Sequence, residues 1–207
     1  MEYGKYCDIA EDFQHGKNFK CGSFVKIDKD VIVGDDVTIE DFVMLKSGVR
    51  VGDNAKIEEY AMILSGSQVG KGTKIGTYTK VGNKAVIGDN CQFTSFCEIR
   101  DNCKLGNNVG MGSRGTLSAN TVVEDNVVMK YSFVVTDTPI LSKGKEKKVG
   151  VLKKGSMFGA NVTIMPGVNI GENAEIGACS QVRHDVPDNE IWYGSPAHLL
   201  RKREQKK

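Results

Sequence analysis

The sequence predicts an all-β solenoid, a chain that winds short parallel strands around a three-sided core. Three observations predict it. An apolar residue recurs at every sixth position from Ile27 through Val33, Ile39, Leu45 and so on to Met129 and Val135, nineteen positions without exception. At 40% apolar composition, chance would give such a run with a probability on the order of 10⁻⁸, so the period marks a repeat architecture. Two residues before each large apolar position runs a smaller series: Val25, Val31, Val37, Val43, Val49, Ala55, Ala61, Ser67, Thr73, Thr79, Ala85, Cys91, Cys97, Cys103 and Val109. The residue just after is Gly at 34, 52, 70, 76, 82, 88, 106 and 112, with Asp and Asn crowding the next two places.

Each part of the repeat has a physical reading. A six-residue period does not fit a helix of 3.6 residues per turn, but it accommodates a short strand and a tight corner. The small and large apolar positions, two apart, point to one face of the strand. Gly and Asn/Asp are expected to supply the unusual backbone angles of the corners. Three sides then make an 18-residue coil, with like side chains stacked about 4.8 Å apart. Residues 1–24 keep the period loosely (Ile9, His15, Cys21) and read as a degenerate terminal coil. Residues 136–150, TDTPILSKGKEKKVG, lose the phase and read as a projecting loop, whose lysine-rich part extends over 143–154. The repeat resumes at Leu152, Phe158, Ile164, Ile170, Ile176 and Val182. The domain is therefore expected to span 1–188. A C-terminal segment, 189–207, follows, in which Ala197–Lys207 reads as a short basic helix and Trp192 as a cap on the open core.

Composition excludes several classes of protein. The formal net charge of +2 is uneven: the last seven residues carry five positive charges and one negative, and the preceding 200 sum to −2. A near-neutral body argues against nucleic-acid binding. No apolar run approaches a membrane span, and the first residues lack a signal-peptide pattern. The six cysteines (7, 21, 91, 97, 103, 179) form no CxxC pair. Three of them fall in the small inward column, which reads as packed reduced thiols rather than a metal cluster. A cytoplasmic setting is the expectation, with no metal.

The Gly-containing hexads, the looped-out segment, the restart Phe158-Gly-Ala-Asn-Val-Thr-Ile-Met-Pro-Gly-Val-Asn-Ile-Gly and the tail Tyr193-Gly-Ser-Pro-Ala together resemble the hexapeptide-repeat acyltransferases. The resemblance implies a left-handed parallel β-helix, the exception to right-handed crossovers. It also implies a homotrimer with inter-subunit active sites and acetyl-CoA bound between neighbours. The stretch Thr121–Asp137, the basic loop and Leu152-Lys-Lys-Gly-Ser-Met-Phe-Gly-Ala-Asn are most similar to the N-acetyltransferases of nucleotide-linked (UDP or dTDP) amino sugars, which serve O-antigen and surface-glycan synthesis. The related maltose and galactoside O-acetyltransferases place a general-base histidine near the loop opening. Here Val135-Thr-Asp-Thr-Pro139 puts Thr138 in that place, and the histidines are 15, 184 and 198. A hydroxyl is a poor nucleophile without a base, whereas a deprotonated amine attacks a thioester directly. The departure therefore favours an amine acceptor.

By the same resemblance Asp137 and Glu124 are the carboxylates that orient or deprotonate the amine, although each also suits a plain turn. Arg114, with Ser113, is placed for polar substrate contact, its guanidinium suited to a diphosphate. Lys130, Tyr131, Thr136 and Thr138 complete the substrate set. Gly159, Ala160, Gly177 and Ala178 match positions where pantetheine lies against the backbone and an amide can meet the thioester oxyanion. Pro196, Arg201 and Lys202 match positions near the adenine and 3′-phosphate. His184 and His198 read as surface or cofactor-edge residues. Competing readings are transfer to a hydroxyl or small amine, a non-catalytic scaffold, and a zinc hydratase of the same fold, which would need three converging histidines.

Overall fold

The computed structural model describes residues 3–141 and 146–203, and within them the chain is a parallel β-solenoid of about ten turns. All but two strands are two residues long. They form three sheets of ten, eight and eleven strands, here called I, II and III. Asp8–Ile9 lies in sheet I, Gln14–His15 in sheet II and Lys20–Cys21 in sheet III, and Lys26–Ile27 returns to sheet I. Before the loop each strand pairs in parallel with the one 18 residues on, as Met62 with Lys80 and Ile63 with Val81. The three-sided, 18-residue coil expected of a left-handed hexapeptide β-helix is thus present throughout.

In each two-residue strand the second side chain points inward and the first outward, because successive side chains alternate. All nineteen large apolar positions from Ile27 to Val135, and all six after the loop, are buried. The small inward column is buried too. From Ser67 to Cys103 its polar members solve their hydrogen bonding in one recurring way, donating to the carbonyl fifteen residues ahead in the next coil. Ser67 Oγ reaches Gly82 O at 2.6 Å, Thr73 Oγ1 reaches Gly88 O at 2.8 Å, and Cys91, Cys97 and Cys103 reach Gly106, Gly112 and Ser118 carbonyls at 3.2, 3.4 and 3.2 Å. Burial pushes all three thiols up, Cys103 to about 11, so they stay protonated and unreactive.

The corners correct one expectation. Asn and Asp do supply the left-handed angles, at Asp36, Asn54, Asn90 and Asn108 with φ of 55–59°, and glycine does so at Gly48, Gly66 and Gly72, but the place is two residues after the hexad glycine and not the hexad glycine itself. Glycine at the hexad position serves close approach instead. A Cβ on Gly88 would lie 2.5 Å from Gly106 O, and one on Gly34 would lie 2.8 Å from Asp53 N.

On the corner between sheets III and I the left-handed position is aromatic in six coils running, at Tyr6, Phe24, Phe42, Tyr60, Tyr78 and Phe96. Bulky residues pay for that conformation, and here the rings stack with centroids 4.7–5.1 Å apart. Stacked pairs of this kind return about 0.5–1.5 kcal/mol each.

Across the loop the register changes from 18 to 29, Val122 pairing with Val151 and Val128 with Met157, so eleven residues are extra. They leave the corner between sheets I and II. Of the lysine-rich stretch, residues 142–145 lie outside the described part. At the N-terminal end Tyr3, Phe13, His15 and Phe19 form a ring cluster over the core.

Of the C-terminal helix expected over Ala197–Lys207, residues 204–207 lie outside the described part, and the rest is not helical. Glu190–Gly194 joins sheet III in parallel, and Ala197–Lys202 folds back on it antiparallel. The last coil presents an open sheet edge whose N–H and C=O groups need partners, and a hairpin supplies them where a helix would not. Trp192 packs against the end of the core with its Nε1–H on Glu190 Oε2 at 2.8 Å. Among the described residues no helix is long and apolar enough to cross a membrane.

Two stability outcomes follow from these columns. Replacing the interior rung Tyr60 by Asn, which suits the same φ, should cost about 1–2 kcal/mol in denaturant unfolding because two stacked contacts vanish. Ser156 Oγ is buried in the small column without a partner, so Ser156→Ala should stabilise by about 1 kcal/mol; a loss of stability would show that the hydroxyl is satisfied.

Candidate active site

The three corners separate the residues that the sequence nominated. Ser113 and Arg114 follow Gly110–Met111 on sheet III, Lys130 and Tyr131 follow Val128–Met129, Gly159 and Ala160 follow Met157–Phe158, and Gly177 and Ala178 follow Glu175–Ile176. All eight therefore lie on the III–I corner in four successive coils, directly above the aromatic ladder. Thr136, Asp137 and Thr138 follow Val134–Val135 and open the loop on the I–II corner. Glu124 follows Val122–Val123 and sits on the II–III corner. One protomer thus does not bring Asp137 and Glu124 together as a pair.

Glu124 has a structural occupation. Its Oε2 accepts the backbone N–H of Lys154 at 2.9 Å, tying down the chain where the loop re-enters the coil. Lys104, Glu124, Asp125 and Lys154 line a groove of about 380 Å³ on that side.

Asp137 is different. Its side chain is only 12% exposed. Its Oδ1 accepts from the Thr138 hydroxyl at 2.8 Å and from Lys147 Nζ at 3.0 Å, and Lys147 also reaches Thr138 Oγ1. Burial raises its pKa, but the Thr138 and Lys147 donors outweigh that effect, with Arg100 adding a smaller attraction. The carboxyl therefore lies below its ordinary value. It is a carboxylate at neutral pH, better suited to holding a cation than to removing a proton. Lys147 was invisible in the sequence because the loop has no phase. Thr136 donates its hydroxyl to Ile164 O at 2.9 Å, anchoring the loop base.

The later coils of the III–I corner differ from the II–III corner in their backbone. On the II–III corner the equivalent amides are capped by a side chain from the next coil: Lys17 N–H by Asp35 at 2.7 Å, Lys71 by Asp89 at 2.7 Å, Asn107 by Asp125 at 2.7 Å and Glu172 by Asp188 at 2.8 Å. Among the described residues no protein acceptor meets the N–H of Ser113, Tyr131, Ala160 or Ala178. Spaced one coil apart, these four amides form a row about 14 Å long. Gly159 and Gly177 have packing reasons of their own. A Cβ on Gly159 would lie 2.5 Å from Ala178 N, and one on Gly177 would lie 2.5 Å from the Tyr193 ring. Their own N–H groups are paired with Ile176 O and Trp192 O. The free donors are the neighbouring alanines.

Beside this row opens a cavity of about 340 Å³ lined by Gln92, Thr94, Gly110, Ser113, Val128, Lys130 and Tyr131. Thr94 Oγ1 and Ser113 Oγ are hydrogen-bonded at 2.9 Å on its rim. Arg114 is exposed on the rung above Phe96, with φ of 63°. Pro196, Arg201 and Lys202 are exposed on the terminal hairpin at the edge of sheet III. Arg203, which the sequence reading passed over, fastens that hairpin through Glu175 Oε1 at 3.0 Å. His15 lies in the N-terminal ring cluster. His184 and His198 are exposed, and His184 is on the Asp137 corner but two coils, about 10 Å, further along. Among the described residues no group of three or more His, Cys, Asp or Glu side chains is arranged to hold a metal.

Fold and repeat together define a hexapeptide-repeat β-solenoid. Residues 48–83, 78–113 and 151–184 match the model of the bacterial transferase hexapeptide family, and the chain belongs to that family. A galactoside O-acetyltransferase of Lactococcus lactis subsp. lactis (strain IL1403) is 45% identical over 56 residues, 27% of each chain. A dTDP-3-amino-3,6-dideoxy-alpha-D-galactopyranose 3-N-acetyltransferase of Aneurinibacillus thermoaerophilus is 47% identical over 49 residues, 24% of this chain and 26% of that one. The match thus spans about a quarter of the length of these curated relatives. Among solved structures, the Arabidopsis UDP-N-acetylglucosamine acyltransferase superposes with a TM-score of 0.65 over 95% of this chain and 72% of that one, at 15% identity, a likeness of fold.

Lys147→Met should raise the pKa of Asp137 toward the ordinary carboxylate range, read by NMR titration of the side-chain carboxyl carbon. Because the folded-state value is depressed, the stability this carboxylate contributes is present above the unfolded pKa and is lost as pH falls through the folded one. The stability gap between wild type and variant should therefore be widest at neutral pH and close in acid.

Proposed function

We propose that the protein is an acetyl-CoA-dependent N-acetyltransferase acting on the amine of a UDP- or dTDP-linked amino sugar. The observation that carries the reading is the row of unpaired amides on the III–I corner beside a cavity with a polar rim. An extended amide-bearing chain such as pantetheine finds donors at Ser113, Tyr131, Ala160 and Ala178, and the small side chains of the two alanines let it lie against the backbone. One of these amides faces the thioester oxygen as negative charge develops there. Arg201, Lys202 and Pro196 on the hairpin serve the nucleotide end of the donor.

The acceptor amine attacks the thioester carbonyl carbon. The C–N bond forms, the C–S bond breaks, the thiol departs with a proton, and the amine's surplus proton leaves to water. Asp137 acts in this scheme as a fixed negative charge that draws in and orients the amine, with Thr138 and Lys147 holding it in place. Arg114 and Lys130 meet the diphosphate. Glu124 drops out of the catalytic set and keeps a structural role at the loop.

The site is completed by a second and third copy of the chain. Apolar outward strand positions occur in the coils that carry the site, at Val122, Val128, Val134, Val151 and Met157, as they do at Ile32, Met44, Met62 and Val86 in the early coils. Apolar outer surface of this kind suits self-association, and a homotrimer sets Asp137 of one copy against the III–I corner of the next. The galactoside O-acetyltransferase relative favours a second reading, transfer to a sugar hydroxyl. The absence of a histidine beside Asp137 weighs against it.

Thiol release from acetyl-CoA should occur with UDP- or dTDP-linked amino sugars and not with the matching hydroxyl sugars. Asp137→Asn should lower kcat/KM for the amine at least tenfold while acetyl-CoA still binds by calorimetry. Release only with hydroxyl sugars would replace this reading with the second one.

A further inference from the structure

Within one protomer Gly110 has no packing reason to be glycine. Among the described glycines it alone combines an ordinary φ with open space, since a Cβ added there meets nothing within 4 Å. It lies in a strand, Gly110–Met111, where glycine weakens the fold. Its place is the outward one, filled on sheet III by Lys56, Lys74 and Gln92 before it and by Val128 and Met157 after it. The missing side chain leaves a notch between Gln92 and Val128, and that notch is the floor of the 340 Å³ cavity.

We infer that Gly110 sets acceptor specificity: the notch receives an apolar ring substituent, a deoxy carbon or methyl group, of the sugar whose amine is acetylated. The inference rests on the reading of this corner as the transfer site and adds to it the chemistry of the acceptor. The floor itself, made by Gly110 and the Val128 side chain, has no hydrogen-bonding side-chain group, and the Gln92 amide stands at its edge. The rim carries such groups in the Thr94–Ser113 hydroxyl pair, Lys130 and Tyr131. A sugar seated there directs its hydroxyls and phosphate to the rim and an apolar group to the floor. A hydroxymethyl group in the notch would lose its water without gaining a partner, which selects against it.

Gly110→Val tests this, because the added side chain has room and a β-branched residue suits the strand. The variant should fold with an equal or higher Tm. With a pair of nucleotide-linked amino sugars that differ only in methyl against hydroxymethyl at C6, the wild type should favour the methyl sugar at least tenfold in kcat/KM. The variant should lose at least tenfold on that sugar with the KM for acetyl-CoA within twofold. Binding of the same two sugars is followed in parallel by saturation-transfer NMR, which needs no turnover. If neither sugar is acetylated but Gly110→Val abolishes binding of the methyl sugar, the transfer reading falls and the notch stands. An unchanged methyl preference in the variant, a change confined to the acetyl-CoA KM, or dissociation of the oligomer in place of a selectivity change would each overturn the inference.

Discussion

Everything in this molecule depends on one constraint: each side chain must fit beneath the side chain eighteen residues later. Parallel pairing at that register stacks like on like, so the interior is three columns of large apolar residues and three of smaller ones, aliphatic in the early coils and joined by hydroxyls and thiols in the later ones. A coil contacts only the coils above and below it, and stability is close to a sum over neighbours. The smaller columns show how strict the rule is. Between Ser67 and Cys103 the Ser, Thr and Cys side chains they admit each meet the carbonyl fifteen residues on, the same bond repeated.

With the faces so constrained, chemistry is left to the corners, and the three corners have taken different forms. The II–III corner is closed by carboxylate and amide side chains that cap the coil beneath. The I–II corner is interrupted once, by an insertion of eleven residues that carries Asp137 and Lys147. The III–I corner changes along its length, from stacked rings in the early coils to Arg114, Ser132, Asn161 and Cys179 at the same position in the later ones. The change falls at Arg114, where the left-handed position passes from aromatic to polar side chains.

The columns were legible because burial repeats with an integer period, and all twenty-five large apolar positions read from the chain are inside. The corners were less legible. Glycine after the large apolar residue looks like a residue chosen for its backbone angles, yet its reason is a neighbouring coil some 18 residues away, which composition does not reveal. The basic run after Ala197 resembles a helix locally, and only the unpaired edge of the last coil makes it a strand. Phase alone, by contrast, already separates the nominated carboxylates. Glu124, Lys130 and Thr136 are six apart, and each step of six moves to the next corner. Gly110 was detectable in the same way, as the gap in an outward column otherwise filled by long or branched side chains.

The electrostatics of Asp137 bear on which nucleophile such a site suits. A carboxylate whose pKa is held down by Thr138 and Lys147 is a weak base, so an acceptor hydroxyl placed against it would keep its proton and react slowly. An amine needs the opposite service. It arrives as a cation, is attracted by a permanent negative charge, and becomes nucleophilic after losing a proton that water can take. Lys147, by lowering the basicity of Asp137 while fixing its position, supports the proposed amine acceptor over a hydroxyl.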